Sequence, residues 1–399
     1  MKINPQVLTW ARETAGLSVE EAARLLGFAD TRKRTAAERL LALENGAEDP
    51  TRSILQKMAE RYRRSLLVFY LKEPPPTGDR GKDFRTVPGA QPPLYNPLLD
   101  ALIRDIRKRQ DIVRAVQEEL EAPPVDFVGT ASANHSVEDL ANRIAERLQF
   151  SLEEFRRQLE PKDAFTYLRR KIEASGAFVL LLGNLGSHHT NIAVETFRGF
   201  AVADPVAPFI IINDQDARAA WSFTALHELA HLWLGATGVS GASVEAKIER
   251  FCNDVAGEIL LPTAEVTQML AALRRAPIAE AVEVVTAFAN ERNISRAMVA
   301  YKLFRADVIS ETAWRKLDDH FRQQWLKSQI KEEQPEGSSK GGPSYYVVRR
   351  HRLGDALLDF VRGSLGEGIL TPTKAGLVLG VKPRNVDPLL HGTTMEGGR

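Results

Sequence analysis

Five consecutive residues, His227-Glu228-Leu229-Ala230-His231, carry the chemistry that the chain states most plainly. The surrounding segment, TALHELAHLWLG, has helical periodicity, with Leu226, Leu229, Ala230 and Leu234 on its apolar positions. Four residues apart on a helix, His227 and His231 share one face and stand about one turn from each other. Two imidazoles so placed can both bind one Zn2+ at about 2.0–2.1 Å. Glu228 follows His227 directly and cannot approach such an ion from the same angle as a ligand. It can instead act as a general base beside it. The bland alternative is a solvated helix face on which these three polar side chains do nothing together.

A catalytic zinc site needs a third protein ligand and an open position. The next helical stretch, VEAKIERFCNDVAGEILLP over 244–262, offers acidic residues next to an apolar face of Ile248, Phe251, Val255 and Ile259. Glu249 lies beside that face and comes 18 residues after His231. That gap holds a loop, GATGVSGAS, and an antiparallel return. Glu245, Asp254 and Glu258 are rival ligands on the same stretch. Asn253, one turn after Glu249, could hold a ligand from behind. Cys252 reads as a small buried packing residue rather than a ligand.

The elements that must position these groups come upstream. Short apolar runs at Phe178–Leu182 and Phe209–Ile212, and a partly alternating stretch at Ile192–Val202, predict a small sheet before the metal helix. Its edge strand could pair with an extended substrate backbone. His188 and His189 read as exposed. Arg198 either holds a buried carboxylate structurally or contacts substrate. Trp221 and Trp233 read as core or rim aromatics.

The chain punctuates itself into parts. Between Pro74 and Pro97 lie seven prolines and three glycines, which excludes regular structure there. KEEQPEGSSKGGP, residues 331–343, reads as a flexible linker. The expected map is a unit at 1–73, a linker at 74–97, a large unit at 98–330, a linker at 331–343 and a helical unit at 344–399. The last contains TPTKAGLVLGVKPRNVDPLL, a helix, a glycine turn and a helix. It reads as a degenerate helix-turn-helix or as a piece packed against the central unit. The fold class expected is α+β, mainly helical, with an all-α bundle first.

Composition excludes several classes. The 399 residues carry 53 Lys and Arg against 52 Asp and Glu, a formal net charge of +1, which rules out a wholesale polyanion binder. A single cysteine rules out a disulfide framework and any multi-cysteine zinc site, and points to the reducing cytosol. The start, MKINPQVLTWARE, lacks a signal-peptide pattern, and no apolar stretch is long enough to span a bilayer. A cytoplasmic protein with no membrane role is expected.

The first unit reads as short helices joined by tight turns. Ser18 with Glu21 forms a capping box for a second helix with Ala22, Ala23, Leu25 and Leu26 on its buried face, and Gly27 ends it. A third helix is expected over about Thr35–Glu44 and a fourth over Ile54–Tyr62. GLSVEEAARLLGF, followed by TAAERLLALENGAEDPTRSILQKMAERYRRSLLVFYL, resembles the Cro/repressor-type (XRE) helix-turn-helix over roughly 5–73. The stretch ADTRKRT is longer than that family's usual turn. The resemblance implies DNA binding with the third helix in the major groove. Arg32, Lys33, Arg34, Thr35 and Arg39 would lie at or near its start. A dimerisation or partner-binding module is the alternative, and a homodimer remains open.

A second resemblance rests on FRGFAV, PFIIIN, FTALHELAHLWLG and KIERFCNDVAGEILLP, in that order. Together these resemble the immunity-repressor/radiation-response (ImmA/IrrE-type) zinc metallopeptidase family, over roughly 135–265. The family implies a gluzincin-like zinc endopeptidase acting on a helix-turn-helix repressor. His227 and His231 match its ligand histidines, Glu228 its general base and Glu249 its third ligand. Cys252 stands where that family's second motif has alanine. Zn2+ is the metal implied, and Mn2+ is compatible with the same donors. The function expected is a DNA-binding regulatory zinc endopeptidase that cleaves a repressor or antitoxin-like protein. The alternative is a DNA-binding transcriptional regulator whose metal domain is a sensor or catalytically silent.

Overall fold

A computed structural model describes residues 3–75, 96–235, 242–267, 273, 277–332 and 344–391. The chain divides into two compact units. The first is Met1–Arg80 with Gln91–Asp105 and Asn184–Thr190; the second is Gly81–Ala90, Ile106–Gly183 and Asn191–Arg399. Most of the Pro-rich stretch, and the linker from residue 333 to 343, lie outside the described residues.

In the first unit four helices build one small core: α1 (Pro5–Glu13), α2 (Val19–Leu26), α3 (Ala36–Glu44) and α4 (Arg52–Arg61). A 3-10 turn over Leu66–Tyr70 follows. Side-chain caps set where the helices begin. Ser18 and Glu21 make a reciprocal capping box on α2, and Thr35 and Glu38 make one on α3. Gly27, at φ 77°, ends α2 in the left-handed conformation that glycine adopts without strain. Val7, Leu8, Ala22, Leu26, Leu40, Leu43, Leu55 and Met58 fill the centre. Leu25, expected on the buried face, is instead 43% exposed. On α2 the inward stripe runs through Ala22, Ala23 and Leu26, and Leu25 falls outside it.

The second unit is built on a buried helix. Its elements begin within α5 (Pro97–Glu119), followed by α6 (Val137–Leu148), α7 (Leu152–Arg156) and α8 (Pro161–Ala174). Next come β1 (Phe178–Leu181), β2 (Gly199–Val202), β3 (Phe209–Ile212) and α9 (Arg218–Leu234). The strands form one sheet in the order β1-β3-β2, with β1 parallel and β2 antiparallel to β3. The Ile192–Val202 strand expectation is therefore too long: only Gly199–Val202 is strand. Ahead of it, the Ile192 and Phe197 carbonyls accept hydrogen bonds from the Asn213 side chain, not from a neighbouring strand.

After α9 come α10 (Ala242–Leu260), α11 (Thr263–Thr267), α12 (Ile278–Glu291), α13 (Arg296–Arg305) and α14 (Glu311–Glu332). The chain closes with α15 (Tyr345–Leu353), α16 (Asp355–Gly366), α17 (Pro372–Leu379) and α18 (Val386–His391). Helix α14 runs through Glu332, so helix replaces the first two residues of the expected second linker. Among the described residues, no helix is long and apolar enough to cross a membrane. The fold is thus mainly helical with one small sheet.

Both faces of the sheet are covered. On one, Val179, Leu181, Ile210 and Ile212 join the main core with α8, α9 and α10. On the other, Phe178 lies tilted against Phe209 and meets Phe360 of α16 edge-on at 5.8 Å. Strands buried on both faces are uniformly apolar, which is why FVLL and FIII do not alternate. The C-terminal helices are fastened to this sheet layer. The buried Arg169 guanidinium donates to the Val179, His351 and Arg352 carbonyls and pairs with Glu173. Arg352 pairs with Asp214 at 2.7 Å. Residues 344–391 therefore pack into the second compact unit.

Candidate metal centre

Helix α9 is buried around its whole circumference from Ala220 to Trp233, as a helix at the middle of a core must be. Its ends are fixed locally. The Asp216 side chain accepts from the Ala217 amide ahead of the first turn. At the other end, Gly129 N–H donates to the Leu232 carbonyl and Ala131 N–H to the Trp233 carbonyl, so two terminal carbonyls are satisfied. This requires close backbone approach. A Cβ on Gly235, which has φ 59°, would stand 2.6 Å from the Gly129 Cα. Trp221 packs edge-on against Phe165, and Trp233 stacks on Phe127, so both tryptophans are core residues.

On this helix His227 is fully buried and His231 is 2% exposed. Their Nε2 atoms are 3.1 Å apart. Helix α10 packs alongside and brings Glu249 to both: Oε2 is 3.4 Å from His227 Nε2 and Oε1 is 3.2 Å from His231 Nε2. Three ligands at about 2.0–2.1 Å from one tetrahedral ion would be separated by about 3.3 Å. The cage therefore has the size of a zinc-type ion, with two nitrogens and one oxygen as donors. It forms a group of three side chains that could hold a metal. Glu249 retains 26% exposure, so among the described residues the cage meets solvent at its carboxylate.

The charges in the cage support one another. Burial works against the His231 cation, but Cys252, Glu249 and Glu228 around it hold its pKa well above the ordinary value. Burial also opposes charge on Glu249, and hydrogen bonds from His227 and His231 override it, holding that carboxyl well below its usual range. A metal ion would take the place of these protons.

The rival acidic ligands are engaged elsewhere. Asp254 pairs with Arg305 and accepts from Tyr301. Glu258 pairs with the buried Lys302 and accepts from Thr263. Glu245 falls where side chains are outside the described residues. Asn253 makes no hydrogen bond to the cage among the described residues; the side chain of that turn facing His231 is Cys252. Burial raises the Cys252 pKa, and its sulfur lies outside the ligand group. That geometry matches a packing thiol.

Glu228 is 1% exposed, and its Oε1 lies beside Gly199 at the start of β2. The sequence reading did not single out Gly199; its one signal was the glycine of FRGF opening an apolar strand. Asn213, likewise unnoticed, ties the segment before β2 to β3. Arg198 pairs with the buried Asp216 at 3.5 Å, the structural option of the two it had. His188 and His189 lie side by side on the surface with their rings tilted to each other, outside the ligand group.

In the first unit, Thr35 is the N-cap of α3. Arg39 donates to the Ala29 carbonyl and lies over the Phe28 ring, so it is turned back onto its own unit. Arg34 pairs with Glu48 on the surface. Arg32 and Lys33 are exposed ahead of α3.

An HExxH helix and a glutamate from the next helix thus form a group that could hold a metal ion, in a mainly helical unit with one small sheet. Residues 188–304 match the family model described as IrrE N-terminal-like domain, Peptidase_M78. This match supports a metallopeptidase of the ImmA/IrrE type for that part of the chain. No curated protein matches the chain. No solved structure matches it either.

Proposed function

We propose that the chain is a regulatory zinc endopeptidase that cleaves a helix-turn-helix repressor or an antitoxin-like protein and binds DNA through its first unit. The observation that carries the reading is the convergence of His227, His231 and Glu249 at tetrahedral separations, with Glu228 buried on the same helix. His227, His231 and Glu249 would hold the ion. When bound, zinc supplies Lewis acidity and a nucleophile near neutral pH. Glu228 accepts a proton on its carboxylate and returns it to the leaving amine. Strand β2, at the sheet edge next to Glu228, offers backbone groups to an extended substrate.

The DNA part of the reading rests on the capped α2 and α3 pair and on Arg32, Lys33 and Arg34 ahead of α3. These cations suit phosphate contacts that position a helix without reading sequence. The repressor as substrate comes from the family resemblance. The test is to incubate the purified chain plus Zn2+ with candidate repressors encoded beside it, using Glu228→Gln as control. Cleavage that Glu228→Gln abolishes while metal stays bound supports the reading. Equal products from Glu228→Gln overturn it.

A further inference from the structure

We infer that Gly199 is a positioning residue for Glu228: the missing side chain at the first residue of β2 is what leaves room for the carboxylate. This rests on the proposed role of Glu228 as base and assigns a part to a residue outside the HExxH helix and the ligand set.

The glycine is not explained by its backbone, because Gly199 is not among the residues of positive φ. It is explained by what surrounds it. A Cβ built there would stand 3.0 Å from Glu228 Oε1, 2.5 Å from Thr224 Cγ2 and 3.0 Å from the Ile211 carbonyl. Thr224 and Glu228 lie one turn apart on α9, so both look at the same point of the strand.

The strand and two of the three groups around that Cβ do not retreat easily. The strand is held from both directions: Asn213 N–H donates to the Arg198 carbonyl, and Arg198 itself pairs with Asp216. Gly199 is in register with Ile212 of β3, whose neighbours are fully buried. Ile211 presents backbone, and Thr224 is branched at Cβ with restricted rotation on a helix. The Glu228 side chain is the longest and most flexible of the three groups. An added methyl group would therefore displace the carboxylate. None of the three groups nearest that Cβ belongs to His227, His231 or Glu249, so the base is nearer the added methyl than the cage is.

Cobalt alone tests this on the full chain, because the visible bands of a bound Co2+ respond to its immediate surroundings. The variants are Gly199→Ala, Gly199→Ala with Thr224→Ser, Glu228→Ala, and Gly199→Ala with Glu228→Ala. The Thr224→Ser companion removes the tightest contact and serves if Gly199→Ala alone does not fold. Gly199→Ala should bind one Co2+ per chain with affinity within about tenfold of the parent, since no ligand is among the groups nearest the added methyl. Its visible spectrum and the pH midpoint of that spectrum should move away from the parent. In the Glu228→Ala background the same substitution should change neither, the non-additivity of two groups in contact. A Gly199→Ala spectrum identical to the parent overturns the inference. So does an equal change with and without the Glu228 carboxylate. If the chain binds no Co2+, or Glu228→Ala leaves the spectrum unaltered, the site reading itself fails and the inference falls with it.

Discussion

The Glu249 carboxylate lies 3.2 Å from His231 Nε2, although the two residues belong to successive helices. That distance makes α9 and α10 one functional object. Removing Glu249 takes away a donor and leaves two imidazoles without the charge that holds them. Glu249→Ala should weaken zinc binding by more than about 100-fold, beyond what loss of an outer hydrogen-bond partner costs. Metal content after dialysis against a graded chelator checks this. Asp254→Asn should retain stoichiometric zinc, because its carboxylate is held by Arg305 and Tyr301. Zinc lost from Asp254→Asn and kept by Glu249→Ala would reverse the assignment.

The first unit is held by a buried ion pair between α1 and α3. Arg12 donates to Glu44 through Nε at 2.8 Å and Nη2 at 3.0 Å, and to the Leu17 carbonyl through Nη1. Glu44→Ala leaves the guanidinium buried without its carboxylate, which should cost the first unit about 3–5 kcal/mol. Replacing both, Arg12→Met with Glu44→Leu, should recover most of that loss. Urea unfolding followed through Trp10 fluorescence separates the two variants.

Acid should loosen the attachment of the C-terminal helices. Burial, with Arg169, Lys162 and Arg218 nearby, drives the pKa of His351 from 6.5 down to about 4. The native state then resists a proton that the unfolded chain accepts. The contribution is complete above pH 6.5 and is lost as pH falls from there towards 4. For a half-buried group, screening by solvent reduces the effect to about 1–2 kcal/mol. His351→Gln should flatten the fall in stability between pH 7 and pH 5, measured by chemical denaturation at each pH. A slope unchanged by the substitution would count against this origin.

Arg32, Lys33 and Arg34 should govern any DNA affinity. Neutralising all three should reduce the salt slope of binding by up to about 3 and weaken binding alike on all sequences. Fluorescence anisotropy on unrelated duplexes over a salt series measures both. Arg39→Ala should act differently, lowering the stability of the first unit, because Arg39 is committed to Ala29 and Phe28.

What the sequence determined by itself is what local periodicity carries. A helical repeat puts His227 and His231 on one face, and the capping box at Ser18 sets where α2 begins. The short apolar runs located β1 and β3, because strands buried on both faces need apolar residues throughout. The tertiary structure decided every pairing between distant segments. Glu249, Asp254 and Glu258 look alike on one helix. Only the packing of α10 against α9 and α13 assigns one to the histidines and the others to Arg305 and Lys302. Arg198 acquired its role from Asp216, and the C-terminal helices theirs from Arg169 and Asp214. Gly199 shows the physical reason most directly: what matters is the space it leaves for Glu228, and space is a property of two segments together.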